Sequence, residues 1–257
     1  MCEIFSLSSR HERNINEELE EFYSHSPDHP NGWGLMVETE GFSNWEKEPI
    51  CASKSVYLKH RLKVPVHGRI AMAHIRLATI GNINWNNCHP FCGIDRSGRR
   101  WILQHNGTIF EYDPMNKYVH IQEGETDSER ILLYILDRIN ERIDKKGAEL
   151  EKEERFKVID EIVCSLSPGN KLNLNIYDEE LLYVHTNCEG TFHIRKENEA
   201  VMFSTRSLKS GNWQPVPMTR LFAYENGEKI FEGTKHGEVY IEDPEKLRDL
   251  FLAYAVL

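Results

Sequence analysis

The sequence predicts an α+β layered domain. Strand-like runs come first, two helical stretches follow, and strand-like runs return after Pro168. Helices segregated in this way pack on sheets as layers, whereas alternating βαβ units would interleave them. No internal repeat, low-complexity tract or convincing domain linker divides the chain, so residues 1–257 are read as a single domain.

Met1 to Leu7 reads as a short buried strand. Asn16 to His25 is a charged helical stretch ended by Pro27 and Pro30. Gly32 to Val37 is a glycine-led strand, and Arg69 to Thr79 is a strand running into a loop. Trp101 to Gln104 is a short apolar run that ends at a turn signal, His105-Asn106-Gly107. The period then changes. Ile131, Ile135, Ile139 and Ile143 recur every fourth residue, the mark of an amphipathic helix. The charge-dense run Lys145 to Arg155 reads as a solvated helix end or linker, and Phe156 to Leu166 as a second helix stopped by Ser167-Pro168-Gly169. Strands follow at Lys171 to Tyr177, Glu180 to Thr186, Thr191 to Arg195 and Ala200 to Ser204. Arg220 to Tyr224 and Glu228 to Phe231 flank the hairpin signal Asn226-Gly227, and Asp243 to Tyr254 reads as a terminal helix.

Composition narrows the function classes. The chain has 31 Lys and Arg against 41 Asp and Glu, a formal charge of −10. That balance opposes non-specific binding to nucleic acid or an anionic membrane. No apolar run approaches the roughly 20 residues that span a bilayer. The N-terminal residues lack the basic and apolar regions of a secretory signal, which points to the cytoplasm. The six cysteines are scattered, and free thiols are the expectation there.

Five short segments carry chemistry. Removal of Met1 would leave Cys2 with a thiol and a free α-amine. An α-amine of pKa about 7.7–8.0 is partly neutral near pH 7 and can serve as the base for its own thiol. The competing reading is a small buried residue. On a strand His74 and Arg76 share a face, and the planar guanidinium suits a carboxylate; an internal salt bridge would explain Arg76 equally. Cys88, His89 and Cys92 supply metal-type donors but lack the fourth ligand of a structural zinc site, and a Pro90-shaped loop is preferred. His105-Asn106-Gly107 could aim an amide and a backbone N–H at one oxyanion, or be a plain turn. Thr126 and Glu129 match a capping box, with Asp127 in the first helical turn beside the positive end of the dipole.

The order of these segments is more specific than any one of them. Met1-Cys2, Asn31-Gly32-Trp33-Gly34, His74-x-Arg76-x-Ala78-Thr79, Asn87-x-His89-Pro90, His105-Asn106-Gly107 and Gly124-Glu125-Thr126-Asp127-Ser128-Glu129 form one series. It closely resembles the class II glutamine amidotransferases of the N-terminal nucleophile hydrolase superfamily, and most of all their stand-alone, single-domain branch. Phe203-Ser204-Thr205-Arg206-Ser207-Leu208 is a looser match. Ile80-Gly81 and Cys88 depart from the usual pattern at the pocket rim.

The resemblance implies a four-layer αββα sandwich. It implies that Cys2 is the nucleophile once Met1 is removed, and that Asn106 and Gly107 form the oxyanion hole. It further implies that Arg76 and Asp127 hold the α-carboxylate and α-ammonium of a glutaminyl or γ-glutamyl group. Trp33 and Gly34 would border the pocket, and His74, His89 and His105 would support it. The implied activity is hydrolysis of a small-molecule γ-glutamyl amide without metal or organic cofactor. The alternatives are a glutaminase subunit that feeds ammonia to a separate synthase partner, and, in another class, a non-catalytic binding or metal-site protein.

Overall fold

The structure is a computed structural model that describes residues 2–39, 42–110, 112–246 and 248. Its strands are β1 Glu3–Asn14, β2 Trp33–Thr39, β3 Phe42–Glu48, β4 His67–Ile75, β5 Phe91–Ile94, β6 Arg100–Thr108, β7 Lys171–Tyr177, β8 Leu182–Thr186, β9 His193–Glu197, β10 Ala200–Ser204, β11 Gln214–Pro215, β12 Phe222–Glu225 and β13 Glu228–Glu232. Its helices are α1 Asn16–Ser24, α2 Val56–Arg61, α3 Asp127–Lys146 and α4 Lys152–Leu166. The strands form two antiparallel sheets, ordered β11-β9-β10-β1-β4-β2-β3 and β13-β12-β8-β7-β6-β5.

Strand alternation sorts side chains into three apolar layers. Phe5, Leu7, Trp33, Leu35, Ala71 and Ala73 point outward from the first sheet onto Leu19, Phe22 and Tyr23 of α1 and Leu58 of α2. Trp101, Leu103, Leu172, Leu174 and Ile176 point outward from the second onto Ile131, Ile135 and Ile139 of α3 and Ile159 and Ile162 of α4. Between the sheets, Ile4, Met36, Ile70 and Met72 meet Ile102, Tyr177, Leu182, Val184 and Phe222. The architecture is therefore a four-layer αββα sandwich, as the resemblance implies.

Helices α1 and α3 form where the sequence places them, whereas α2 is not among the expected elements. Thr126 Oγ1 accepts the Glu129 N–H at the start of α3, and Gly147 closes its end in the left-handed region at φ 74°. Each fully buried Ile of α3 contributes about 1.5–3 kcal/mol, enough to hold a helix whose outer face is densely charged. The Asn226-Gly227 hairpin appears with both residues at positive φ, 52° and 82°.

Two sequence readings are corrected. His105-Asn106-Gly107 is not a turn: the three residues lie inside β6, opposite Leu174, Asn173 and Leu172 of β7. The pairing strand is more than 60 residues away, so nothing local announces it. Lys145 to Arg155 is not all solvated: α4 begins at Lys152, and Arg155 is buried, paired with Asp178 (2.7 Å) and Glu180. Of the expected terminal helix, residues 244–246 are helical, and 247, 249–250 and 251–254 lie outside the described residues, as does Met1. Among the described residues, no helix is long and apolar enough to cross a membrane.

Candidate active site

Alternation on β1 sets the position of Cys2. Ile4 faces the second sheet and Phe5 faces α1, so Cys2 falls on the inter-sheet side. The same rule on β6 sends Asn106 inward with Ile102. The two residues meet across the gap between sheets, where the Asn106 side-chain amide donates to the Cys2 carbonyl. The Cys2 thiol donates to the Leu77 carbonyl at 3.4 Å. Burial raises the thiol above its ordinary range; the Leu77 bond and the Arg76 charge pull it back, and Asp127 pushes it further up. Cys2 is thus a protonated thiol at neutral pH that needs a base to react.

Arg76 follows the last residue of β4. Its guanidinium is buried and donates to three carbonyls, those of Asn82 (2.9 Å), Ile80 (2.9 Å) and Gly81 (3.1 Å). No acidic side chain forms a salt bridge with it among the described residues. Asp127 is buried at the first turn of α3, where Oδ2 accepts the Ile109 N–H (2.8 Å) and Oδ1 the Ser128 N–H (2.9 Å). Both charges act on the Cys2 thiol, Arg76 favouring the thiolate and Asp127 opposing it.

The segment that follows Arg76 is tied to the one that precedes α3. The Glu125 carboxylate accepts the Asn82 N–H (2.6 Å) and both the Asn82 and Asn87 side-chain amides (2.9 Å each). Asn87 Oδ1 accepts the Glu125 N–H in return, at 2.8 Å. Hydrogen bonds from Asn82 N–H and from Asn87 hold the Glu125 carboxyl below its usual range. Only half of the expected capping box forms: the Glu129 carboxylate accepts the N–H groups of Glu123 (2.7 Å) and Gly124 (2.8 Å), fixing the loop instead of capping Thr126.

The remaining candidates divide. A Cβ on Gly34 would stand 1.9 Å from the His89 carbonyl, so that strand position admits only glycine. The His74 and His89 rings stack at 4.0 Å between the sheets. Burial above all, with nearby positive charge, keeps both well below the ordinary imidazole range, so they are neutral. His105 faces the other way. Its Nε2 donates to the Lys171 carbonyl (3.1 Å), which leaves Nδ1 to accept from Ser128 Oγ (3.0 Å). Burial lowers it as well. The Trp33 side chain does not border this cluster. It lies on the outer face of the sheet, stacked on Tyr57 and donating to Glu48 (3.0 Å), because β2 sends odd positions toward α1. Nor do Cys88, His89 and Cys92 converge: Cys92 is exposed, and no group of three His, Cys, Asp or Glu side chains among the described residues could share a metal ion.

Sequence reasoning gave several neighbours no role, although Asn31, Thr205 and Arg206 lie in the matching segments. The Glu3 carboxylate accepts from His25 (2.9 Å) and His29 (3.1 Å), with Arg206 at 3.7 Å. Burial alone would raise this carboxyl; the bonds from His29 and His25 outweigh it and hold the group low. Thr205 brackets Ile4, accepting its N–H at Oγ1 (3.1 Å) and donating its own N–H to the Ile4 carbonyl (3.1 Å). Asn31 Oδ1 accepts the Ala78 N–H at 2.9 Å. Asn173, opposite Asn106, donates to its Oδ1 at 2.8 Å. The available signal was the acidic Glu3 within an apolar strand, since a buried charge needs partners.

Comparison with known proteins gives a family. Residues 1–198 match the model of the class-II glutamine amidotransferases. An uncharacterized protein of Methanocaldococcus jannaschii is 25% identical over 276 residues, covering 97% of this chain and 76% of that one. YafJ of Escherichia coli, provisionally named a glutamine amidotransferase, is 28% identical over 166 residues, covering 64% of this chain and 63% of its own length. Among solved structures, glutamine phosphoribosylpyrophosphate amidotransferase of B. subtilis superposes with a TM-score of 0.65 at 16% identity, over 89% of this chain and 48% of that one. The chain therefore spans about half the length of that enzyme, and the likeness speaks for the fold.

Proposed function

The chain belongs to the class II glutamine amidotransferases, and from that premise we propose that it hydrolyses the γ-glutamyl amide of glutamine or of a γ-glutamyl compound through a Cys2 thioester. The observation that carries this reading is the meeting of the Asn106 amide with Cys2, whose thiol feels the charges of Arg76 and Asp127. The reading requires that Met1 be removed, and it treats residues 1–257 as one cytoplasmic domain acting on a small molecule.

The steps follow from the donors in place. The neutral α-amine of Cys2 takes the thiol proton, and the sulfur attacks the amide carbon. The carbonyl π-electrons move to oxygen, where the Asn106 amide and the Gly107 N–H stabilise the negative charge. Collapse of this intermediate breaks the C–N bond, and the ammonium of Cys2 returns its proton to the leaving nitrogen. The amine next takes a proton from water, the hydroxide adds to the thioester, and the C–S bond breaks to give glutamate and the thiol. Arg76 and Asp127 hold the two charged ends of the glutamyl group, which turns the attack into an intramolecular one.

Intact-protein mass after treatment with diazo-oxo-norleucine tests the reading. The expected product lacks Met1 and carries one adduct on Cys2; processed protein that stays unlabelled refutes it. Assay of free glutamine against γ-glutamyl peptides, without any partner protein, separates a self-contained hydrolase from a subunit that supplies ammonia to a synthase.

A further inference from the structure

An oxyanion hole built from an asparagine works in only one of its two amide orientations. Turned by 180°, Asn106 would present Oδ1 to the developing charge and repel it. Something must therefore fix the orientation, and β6 itself does not, since a strand backbone is indifferent to which way an amide side chain lies.

We infer that Asn173 is a positioning residue that sets the amide of Asn106, with Thr186 and Thr191 setting the amide of Asn173. The inference rests on the proposed role of Asn106 in γ-glutamyl hydrolysis. Its evidence is a set of hydrogen bonds whose shorter contacts all run one way, although the hydroxyls of Thr186 and Thr191 each have a second, longer acceptor at 3.4 Å, the Cys188 carbonyl and Asn173 Oδ1 respectively. A backbone carbonyl only accepts, so Thr191 Oγ1 spends its one proton on the Cys188 carbonyl at 2.8 Å. Thr191 Oγ1 is then an acceptor toward Asn173, whose Nδ2 at 3.0 Å is nearer to it than Oδ1 at 3.4 Å. Asn173 Oδ1 is left facing Thr186, whose hydroxyl donates to it at 2.6 Å. The second proton of Asn173 Nδ2 points to Asn106, which must answer with Oδ1, at 2.8 Å. That places Asn106 Nδ2 on the Cys2 side, where it donates to the Cys2 carbonyl. The direction fixed at one backbone carbonyl thus passes through two amides to the nucleophile. Asn106 and Asn173 are both at most 4% exposed, so water does not compete to turn either amide.

The placement has a simple origin. Asn106, Asn173 and Thr186 occupy one cross-strand row of β6, β7 and β8 on the inner face. The row ends at the edge of the apolar inter-sheet core, and its polar side chains pair with one another and with Thr191 and the Cys2 carbonyl.

Asn173→Asp is the sharpest perturbation. It keeps the shape but replaces the donor toward Asn106 by an acceptor, which draws Asn106 Nδ2 round and away from Cys2. Two readouts apply. In the unmodified protein, an NMR cross-relaxation signal joins the Asn106 side-chain amide protons to those of Cys2; the variant loses it. With L-γ-glutamyl-p-nitroanilide as probe, kcat falls by about 100-fold or more, the scale of losing one oxyanion donor, while KM stays within about threefold because the glutamyl-binding charges are untouched. If a buried carboxylate prevents folding, Thr191→Val makes the test: the signal weakens and kcat falls about tenfold, and Thr191→Ser, which keeps the hydroxyl, restores both. A retained signal in Asn173→Asp or an undiminished one in Thr191→Val overturns the inference, as does a serine variant as impaired as the valine. A signal that behaves as expected in a protein that turns over no γ-glutamyl substrate upholds the positioning and sinks the hydrolase reading instead.

Discussion

Replacing Gly107 by alanine adds one methyl group at the point where strand packing and the proposed chemistry coincide. A Cβ there would lie 1.9 Å from the Lys171 carbonyl oxygen and 2.4 Å from His105 Nε2. The oxygen belongs to the backbone of β7 and already accepts from His105, so no flexible side chain can yield. Reaching an ordinary contact of 3.4 Å requires about 1.5 Å of separation between β6 and β7 at the Gly107–Leu172 step. Overpacking of this kind costs about 1–3 kcal/mol, a Tm lower by roughly 2–10 °C for a chain of this size. The effect on turnover is larger. The Gly107 N–H is one of the two proposed oxyanion donors, and misplacing such a donor by an ångström costs about 10²–10³ in kcat. Steady-state hydrolysis of L-γ-glutamyl-p-nitroanilide well below the melting transition, with calorimetry on the same sample, separates the two effects. A folded Gly107→Ala protein with kcat within twofold of the parent would refute the assignment of Gly107 to the oxyanion hole.

Three further outcomes follow from the same geometry. Because burial keeps the Cys2 thiol protonated at neutral pH, attack depends on the neutral fraction of the α-amine. Raising the pH through about 7–8 removes the proton that blocks this base, so kcat/KM rises across that window; a falling profile contradicts the amine as base. Arg76→Lys keeps the charge but cannot span the carbonyls of Ile80, Gly81 and Asn82, which the guanidinium bridges. A KM at least tenfold higher for the γ-glutamyl probe is expected, and near-normal kinetics would remove Arg76 from the carboxylate clamp. Arg155→Ala strips the buried Asp178 of its cation, a change worth about 3–5 kcal/mol. Asp178 retains bonds from the N–H of Leu181 and the hydroxyl of Tyr183, so urea denaturation is expected at the lower end of that range, with kcat unchanged.

The legible parts of the sequence were those whose signals are local. The four-residue recurrence of Ile131, Ile135 and Ile139 and the Asn226-Gly227 turn are written within one element, and both hold. The series of motifs from Cys2 to Glu129 pointed to a family that the match over residues 1–198 bears out. What failed depended on partners far along the chain. Asn106-Gly107 has the composition of a turn, yet β7 supplies a hydrogen-bonding strand and overrides it. Arg155 sits in a run of charge that looks solvated, and the arrival of Asp178 and Glu180 makes its burial tolerable. Trp33 shares a motif with Gly34, but adjacent strand residues face opposite sides, so one belongs to the outer core and the other to the inter-sheet space. Asn173 could not be found at all from sequence, because its meaning lies in the cross-strand position opposite Asn106.

The apolar core and the proposed chemistry are parts of one arrangement of strand faces. Cys2 points between the sheets only because Ile4 does, and Ile4 does so because Phe5 and Leu7 are taken by α1. A slip of one residue in β1 would bury the thiol against α1 and leave Asn106 facing a backbone turned the wrong way. The register is accordingly pinned close to the nucleophile from both flanks. Thr205 brackets Ile4 on the β10 side. Glu3 is opposite Ile75 of β4, and its carboxylate is clamped by His25 and His29 from the end of α1 and the turn after it. If Cys2 is the first residue of the active protein, as proposed, these contacts answer a specific difficulty. The first residues of a chain fray unless they are tied down, and a thiol with its base on the same residue gains nothing from proximity unless that residue is held. Glu3 and Thr205, which touch no substrate atom in this reading, supply the rigidity that a nucleophile at a chain terminus lacks.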